Sequence, residues 1–225
     1  GFPINNVICS LSGGRPITKI IRNQLKIENG RVEKNDIFKI HKIKNLTHID
    51  NYELISSSVV KYYLDNNTSV DNPIGIFTDS LKVEISHTYG QKSTIKNIIG
   101  AVNLCHLAVD KFIICSEAAG ISTMTQDEKI NGAVVIDLGA NITSIGVFLN
   151  SKIIFSDSIP IGGLHITSDI VRGLGTKSED AEKIKILHGS TLAKETDEYI
   201  NLDITIISDQ GEIVTQKIPK SVLTA

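Results

Sequence analysis

Val135-Ile136-Asp137-Leu138-Gly139-Ala140-Asn141-Ile142-Thr143-Ser144-Ile145-Gly146-Val147 is the stretch on which the fold turns. An apolar run ends in an aspartate, small residues make a tight turn, and a second apolar run begins at once. A strand, turn and return strand of this kind is a device for handling phosphate. Gly139, Ala140 and Asn141 let backbone N–H groups approach phosphate oxygens, and clustered donors of that kind bind anions. Asp137, at the strand end, is placed to order waters around Mg²⁺, which keeps several waters and takes few carboxylates. The same stretch also fits an ordinary β-hairpin with a surface aspartate, so its neighbours have to decide.

Downstream, residues 142–149 and 153–161 read as two further strands. Gly162-Gly163 then stands directly before a helix carrying Ile166, Ile170, Val171 and Leu174. Two glycines there leave helix N–H groups and the positive dipole end facing a cleft; the plainer reading is a Gly-Gly turn capped near Thr167 or Ser168. Gly175 stops that helix. Ser178 caps the next one, with Glu179 and Asp180 against its positive end and Gly189 closing it as a C′ residue. Glu182 and Lys185, three apart, share a face of this helix. They are spaced to grip ribose hydroxyls and flank an adenine ring, or else form a solvated ion pair. His165 and Asp169 read as structural. A hairpin follows over 199–208 and 212–218 around Ser208-Asp209-Gln210-Gly211, and Ser221 to Ala225 looks like a helix starting.

Upstream, Val7 to Leu11 is an apolar strand closed by Ser12-Gly13-Gly14. Residues 16–28 alternate loosely as a half-exposed strand, Asn29-Gly30 marks a turn, and a short helix near Asn35 puts Ile37, Ile40 and His41 on one face. Tyr52 to Leu64 is β-rich. After the loop at Asp71-Asn72-Pro73 and Gly75, Leu81, Val83 and Ile85 alternate as another strand. This makes a small sheet with one helix. Ser93 caps an amphipathic helix with Ile95, Ile98, Ile99, Val102, Cys105 and Val109 at helical spacing. Lys111 to Cys115 reads as a buried strand and Glu117 to Met124 as a helix of small residues.

Composition narrows the function classes. The 225 residues carry 23 basic and 25 acidic side chains, a net charge of -2, with 41% hydrophobic and 21% charged residues. That mixture argues against disorder. The lack of a basic surplus argues against a nucleic-acid partner, whose phosphates need Lys and Arg. A chain of this mass buries about 70% of its unfolded surface. No apolar run reaches the ~18–20 residues needed to span a bilayer, and Gly1-Phe2-Pro3 does not open a signal peptide. Cys9, Cys105 and Cys115 suit neither a disulfide framework nor a zinc site, and read as buried reduced thiols.

The hairpin at Asp137, the Gly162-Gly163 helix start and the Glu182/Lys185 helix, in this order and spacing, resemble the actin-like ATPase superfamily. Ile159 to Ile170, Leu174-Gly175-Thr176, Ala181 to Lys185 and His188-Gly189 resemble, more narrowly, the FtsA family of bacterial cell-division proteins. Leu11-Ser12-Gly13, where that family enters an inserted domain, and Asn72-Pro73-Ile74-Gly75 within it agree. The resemblance implies an α/β fold of actin-like (ribonuclease-H-like) lobes with a small inserted α+β domain. The expected division is 1–13 with 91–131 as a first lobe, 14–90 as the insert, 132–190 as a second lobe, and 191–225 as the start of its small subdomain.

The same resemblance implies ATP with Mg²⁺ between the lobes, with Asp137, Gly139, Ala140 and Asn141 near phosphate and metal, Gly162 and Gly163 on the phosphate side, and Glu182 and Lys185 on the adenosine side. It implies head-to-tail self-assembly, a partnership with the tubulin-like ring protein FtsZ, and contacts to later division proteins through the insert. It also implies a cytoplasmic location at the division site, with membrane attachment through a C-terminal amphipathic helix that this sequence lacks. The family turn is commonly a triple glycine, replaced here by Gly139-Ala140-Asn141, and a second aspartate of the return strand is Ser144. At most slow ATP hydrolysis is therefore expected, and the protein reads as a nucleotide-dependent adaptor. The alternatives are the related type IV pilus assembly protein PilM and a sugar kinase of the same superfold. Matched against the family pattern, the chain is expected to be an internal piece truncated at both ends, holding half of an ATP cleft.

Overall fold

Short apolar runs make the strands and periodic ones the helices. This computed structural model describes residues 4–43, 48–207 and 213–224. Their order is β1 (Asn6–Leu11), β2 (Ile17–Lys26), α1 (Lys34–Lys42), β3 (Tyr52–Leu64), β4 (Ser69–Val70), β5 (Ser80–Gln91), α2 (Lys92–Leu104), β6 (Ala108–Ile114), α3 (Cys115–Thr123), α4 (Gln126–Asn131), β7 (Ala133–Leu138), β8 (Thr143–Leu149), β9 (Lys152–Ile159), α5 (Gly163–Leu174), α6 (Ser178–His188), β10 (Asn201–Ile207) and β11 (Ile213–Pro219). Short 3-10 turns cover Glu195–Glu198 and Lys220–Leu223. Backbone contacts divide the chain into two compact units, 1–137 with 142–159, and 138–141 with 160–225. Strands β8 and β9, read from sequence as part of a second lobe, thus group with the first unit.

In the first unit an antiparallel sheet of order β2-β5-β3-β4 is covered on one face by α1. The pairing of β2 with β5 runs without a bulge from Ile17 opposite Tyr89 to Lys26 opposite Ser80. Leu81 and Val83 are completely buried and Ile85 nearly so, joining Ile27, Val32, Ile40, Tyr62 and Leu64 in one core. Side chains of this kind contribute about 1.5–3 kcal/mol each on burial. The buried Asn23 amide donates to the carbonyls of Ile40 at 3.0 Å and Ile43 at 3.2 Å, closing the end of α1.

A second core of the same unit gathers Leu11, Ile95, Ile114, Phe148 and Ile153. There β1 and β6 pair in parallel, and β7, β8 and β9 form a three-stranded sheet. The small residues of α3 have a specific reason. A Cβ at Gly120 would stand 2.5 Å from the Phe148 ring. The insert sheet is tied to β9 by Ser86 Oγ donating to Ile153 O at 2.5 Å and by the Thr18 and Ser156 hydroxyls at 2.6 Å.

Several expectations need correction. Helix α2 begins after Gln91 rather than at a Ser93 cap, and ends at Leu104. His106 turns the chain with φ +58°, and Val109 joins β6 because that strand pairs with β1 from Asn6 opposite Ala108. Cys115 opens α3 instead of closing a strand. Helix α4 was signalled by Thr125 and Glu128, whose side chains form a reciprocal cap, and the sequence reading passed over it. No cysteine is buried: Cys105 is exposed, and Cys9 and Cys115 are half-buried.

In the second unit α5, α6 and the β10–β11 hairpin share a core of Ile184, Ile204, Ile218 and Leu223. Gly175 ends α5 in the left-handed conformation at φ 60°. The residue before α6 is Lys177, not Ser178, and Gly189 is extended at φ -62°. Glycine is required at 189 by close approach, since a Cβ would lie 2.5 Å from Lys185 O. The expected turn at Ser208 to Gly211 and the ends at Gly1-Phe2-Pro3 and Ala225 lie outside the described residues. Residues 220–223 form a single 3-10 turn where a helix start was expected. Among the described residues no helix is long and apolar enough to cross a membrane.

Candidate functional site

The turn after β7 is docked onto the start of α5, backbone against backbone. Gly163 N–H donates to Gly139 O at 3.0 Å, and Leu164 N–H to Ala140 O at 2.8 Å. Gly162, extended at φ -161°, needs no special backbone freedom; it needs space. A Cβ there would come within 2.5 Å of Ala140 O and closer still to Gly139 O. Its own N–H donates to His165 Nδ1 at 3.1 Å, which gives His165 the structural role read for it.

This corrects the idea that the first N–H groups of α5 stand open to an anion. The turn carbonyls already take two of them. Among the described residues, the amides of Gly139, Ala140 and Asn141 have no backbone acceptor. Asp137 sits half-buried at the penultimate position of β7, and its carboxylate makes no ion pair among the described residues. Ala140 and Asn141 are exposed. Ser144 is 6% exposed on β8 and opposite Ser158. That position is among the buried ones alternating along β8, Ser144, Gly146 and Phe148, where a carboxylate would be desolvated.

Lys185 and Glu182 come together on α6, but not around one open space. Lys185 Nζ lies 2.6 Å from Glu182 Oε2, 2.9 Å from Thr167 Oγ1 and 3.1 Å from Gly163 O. Thr167 Oγ1 is 2.6 Å from the same Glu182 oxygen. The hydrogen bond from Lys185, then that from Thr167, hold the Glu182 carboxyl below the usual glutamate range. Glu182 lines an open cleft of about 480 Å³ with Leu164, Ser178, Glu179 and Lys183. Lys185 lines a different, largely apolar cavity of about 470 Å³ with Ile166, Ile170, Leu174 and Leu223. The two side chains therefore divide between two spaces, and their bond to each other ties α6 to α5.

Thr167 was missed by sequence reasoning except as a possible cap. Its signal was a hydroxyl on the apolar side of α5, four residues after Gly163. It is 2% exposed. Asp169 is exposed and 3.8 Å from Arg172, one turn of surface ion pair. Among the described residues no cluster of three or more His, Cys, Asp or Glu side chains is suited to a metal.

Residues 134–224 match the family model of the cell division protein FtsA, and residues 13–88 match that of the SHS2 domain inserted in FtsA. The chain is 28% identical over 225 residues to FtsA of Rhizobium meliloti (strain 1021), covering all of this chain and 51% of the relative. It is 28% identical over 190 residues to FtsA of Escherichia coli (strain K12), covering 84% of this chain and 45% of the relative. It thus spans about half the length of these curated relatives. Among solved structures, a chain of the PilM-PilN type IV pilus biogenesis complex superposes with a TM-score of 0.51 at 14% identity. It covers 82% of this chain and 51% of the other, a likeness of fold alone. With an actin-like α/β architecture, the inserted domain at 13–88 and the FtsA match at 134–224, the chain belongs to the FtsA family of cell division proteins.

Proposed function

We propose that this protein binds Mg-ATP and uses the bound nucleotide to govern its assembly at the bacterial division site, where it links FtsZ to the cytoplasmic face of the membrane. The observation that carries the nucleotide part is the docked turn: its carbonyls are engaged by α5, and its three amides have no described acceptor. Gly139, Ala140 and Asn141 take phosphate oxygens there. Asp137, with no ion partner among the described residues, suits a cation that keeps its waters and accepts few carboxylates. Mg²⁺ neutralises phosphate charge when bound. Glu182, beside an open cleft, takes the ribose. Ser144 supplies no second carboxylate for orienting water, so nucleotide acts as an assembly signal with slow turnover.

Head-to-tail self-assembly, contact with later division proteins through residues 14–90, and attachment through a C-terminal amphipathic helix belong to the same reading. Family membership supports them. In the full-length protein, Asp137→Ala weakens Mg-ATP affinity about tenfold or more, measured by equilibrium binding. Unchanged affinity rejects the site. Co-sedimentation with FtsZ filaments tests the partner separately, and phosphoryl transfer to a small polyol would overturn the adaptor reading in favour of a kinase.

A further inference from the structure

The polar knot between α5 and α6 has a stoichiometry that assigns its members different jobs. An ammonium has three protons, and Lys185 Nζ has three acceptors: Glu182 Oε2, Thr167 Oγ1 and Gly163 O. It is fully committed inside the protein. The Thr167 hydroxyl has one proton and two acceptors in reach, Glu182 Oε2 at 2.6 Å and Gly163 O at 3.1 Å. The shorter, charge-assisted contact takes it, while Lys185 serves the carbonyl. Glu182 Oε2 then has two donors, and no protein donor is described for Oε1.

We infer that Thr167 is a positioning residue for nucleoside recognition, fixing Glu182 so that its second oxygen, Oε1, accepts a ribose hydroxyl while Lys185 stays behind it and touches no ligand. Thr167 is 2% exposed and acts only through Glu182, which lines the open cleft. Gly163 belongs to the same knot through its carbonyl, and its N–H holds Gly139 O. One network therefore sets the ribose carboxylate and the phosphate turn at a fixed separation. The inference rests on the nucleotide reading above.

The test compares affinities of the full-length protein for Mg-ATP, 2′-deoxy-ATP and 3′-deoxy-ATP. Wild type is expected to prefer ATP over at least one deoxy analogue by about tenfold. Thr167→Ser keeps that preference. Thr167→Val loses it to within about twofold, because ATP binding weakens and deoxy binding does not. Thr167→Ala, which leaves space instead of filling it, gives the same readout if the valine variant does not fold. Equal weakening for ATP and both analogues marks a merely structural threonine and overturns the inference, as does an undiminished preference. A wild type that binds ATP without any ribose preference rejects the positioning role alone. A wild type that binds none of the three rejects the nucleotide site itself.

Discussion

In the inserted sheet, Leu81 and Val83 of β5 are completely buried among aliphatic neighbours. At the junction of the β7–β8 turn with α5, contact is carbonyl to amide, and glycine is present because any side chain would collide. The first region is held by area removed from water, a non-directional force that tolerates repacking. The second is held by a few directional bonds at fixed distances, which tolerate little. One region should yield stability when perturbed and the other binding.

The largest expected effect is in the sheet. Leu81→Ala removes a fully buried side chain and should cost about 2–5 kcal/mol in chemical denaturation, with nucleotide affinity unchanged once folded. A loss of affinity equal to that of the Asp137 variant would break the comparison. Gly162→Ala places a Cβ against two backbone carbonyls. Overpacking of this kind costs about 1–3 kcal/mol, and here it should displace the turn and weaken Mg-ATP binding more than it lowers stability. If the denaturation midpoint falls while affinity holds, the junction is only a structural joint.

Asn23→Ala sharpens the contrast from inside the sheet, because it removes two side-chain hydrogen bonds beside a core that is otherwise mostly aliphatic. The carbonyls of Ile40 and Ile43 lose their donor, at a cost of about 1–3 kcal/mol. The effect should be local, read as faster hydrogen exchange over residues 34–43. The smallest effect is on pH dependence. The folded-state pKa of Glu182 is lowered, so its contribution is fully present above the ordinary glutamate pKa and is lost as pH falls through the folded value. Lys185→Met should flatten the loss of thermal stability below about pH 4.3, relative to wild type. Identical slopes would show that the pair adds nothing to folding.

The same contrast explains what could be read from the sequence. The alternation of Leu81, Val83 and Ile85 gave away the insert sheet, because burial on one face imposes period two. Asp137, Gly139 and Gly162-Gly163 were visible as a turn and a helix start, since small residues mark close backbone approach. What they approach was not visible. Gly163 N–H meets Gly139 O across 24 positions of sequence, and no local pattern records that. Helix α2 was drawn too long for a similar reason: Val109 has helical spacing from Val102 and Cys105, but pairing with Val7 draws it into β6. Thr167 was legible as a residue and illegible as a partner of Glu182 and Lys185.

The docked turn also has a mechanical meaning. Gly139 and Ala140 are hydrogen-bonded to the first two residues of α5, and residues 138–141 group by contacts with 160–225. Two backbone hydrogen bonds thus couple the turn directly to the first turn of the helix. Helix α5 has 12 residues, a rod of about 18 Å. Under the proposed nucleotide reading, a shift of the turn on phosphate binding would be carried along that rod to Leu174 and Gly175. At that far end Leu174 packs with the core beneath β10 and β11, so the lever's output falls on the hairpin.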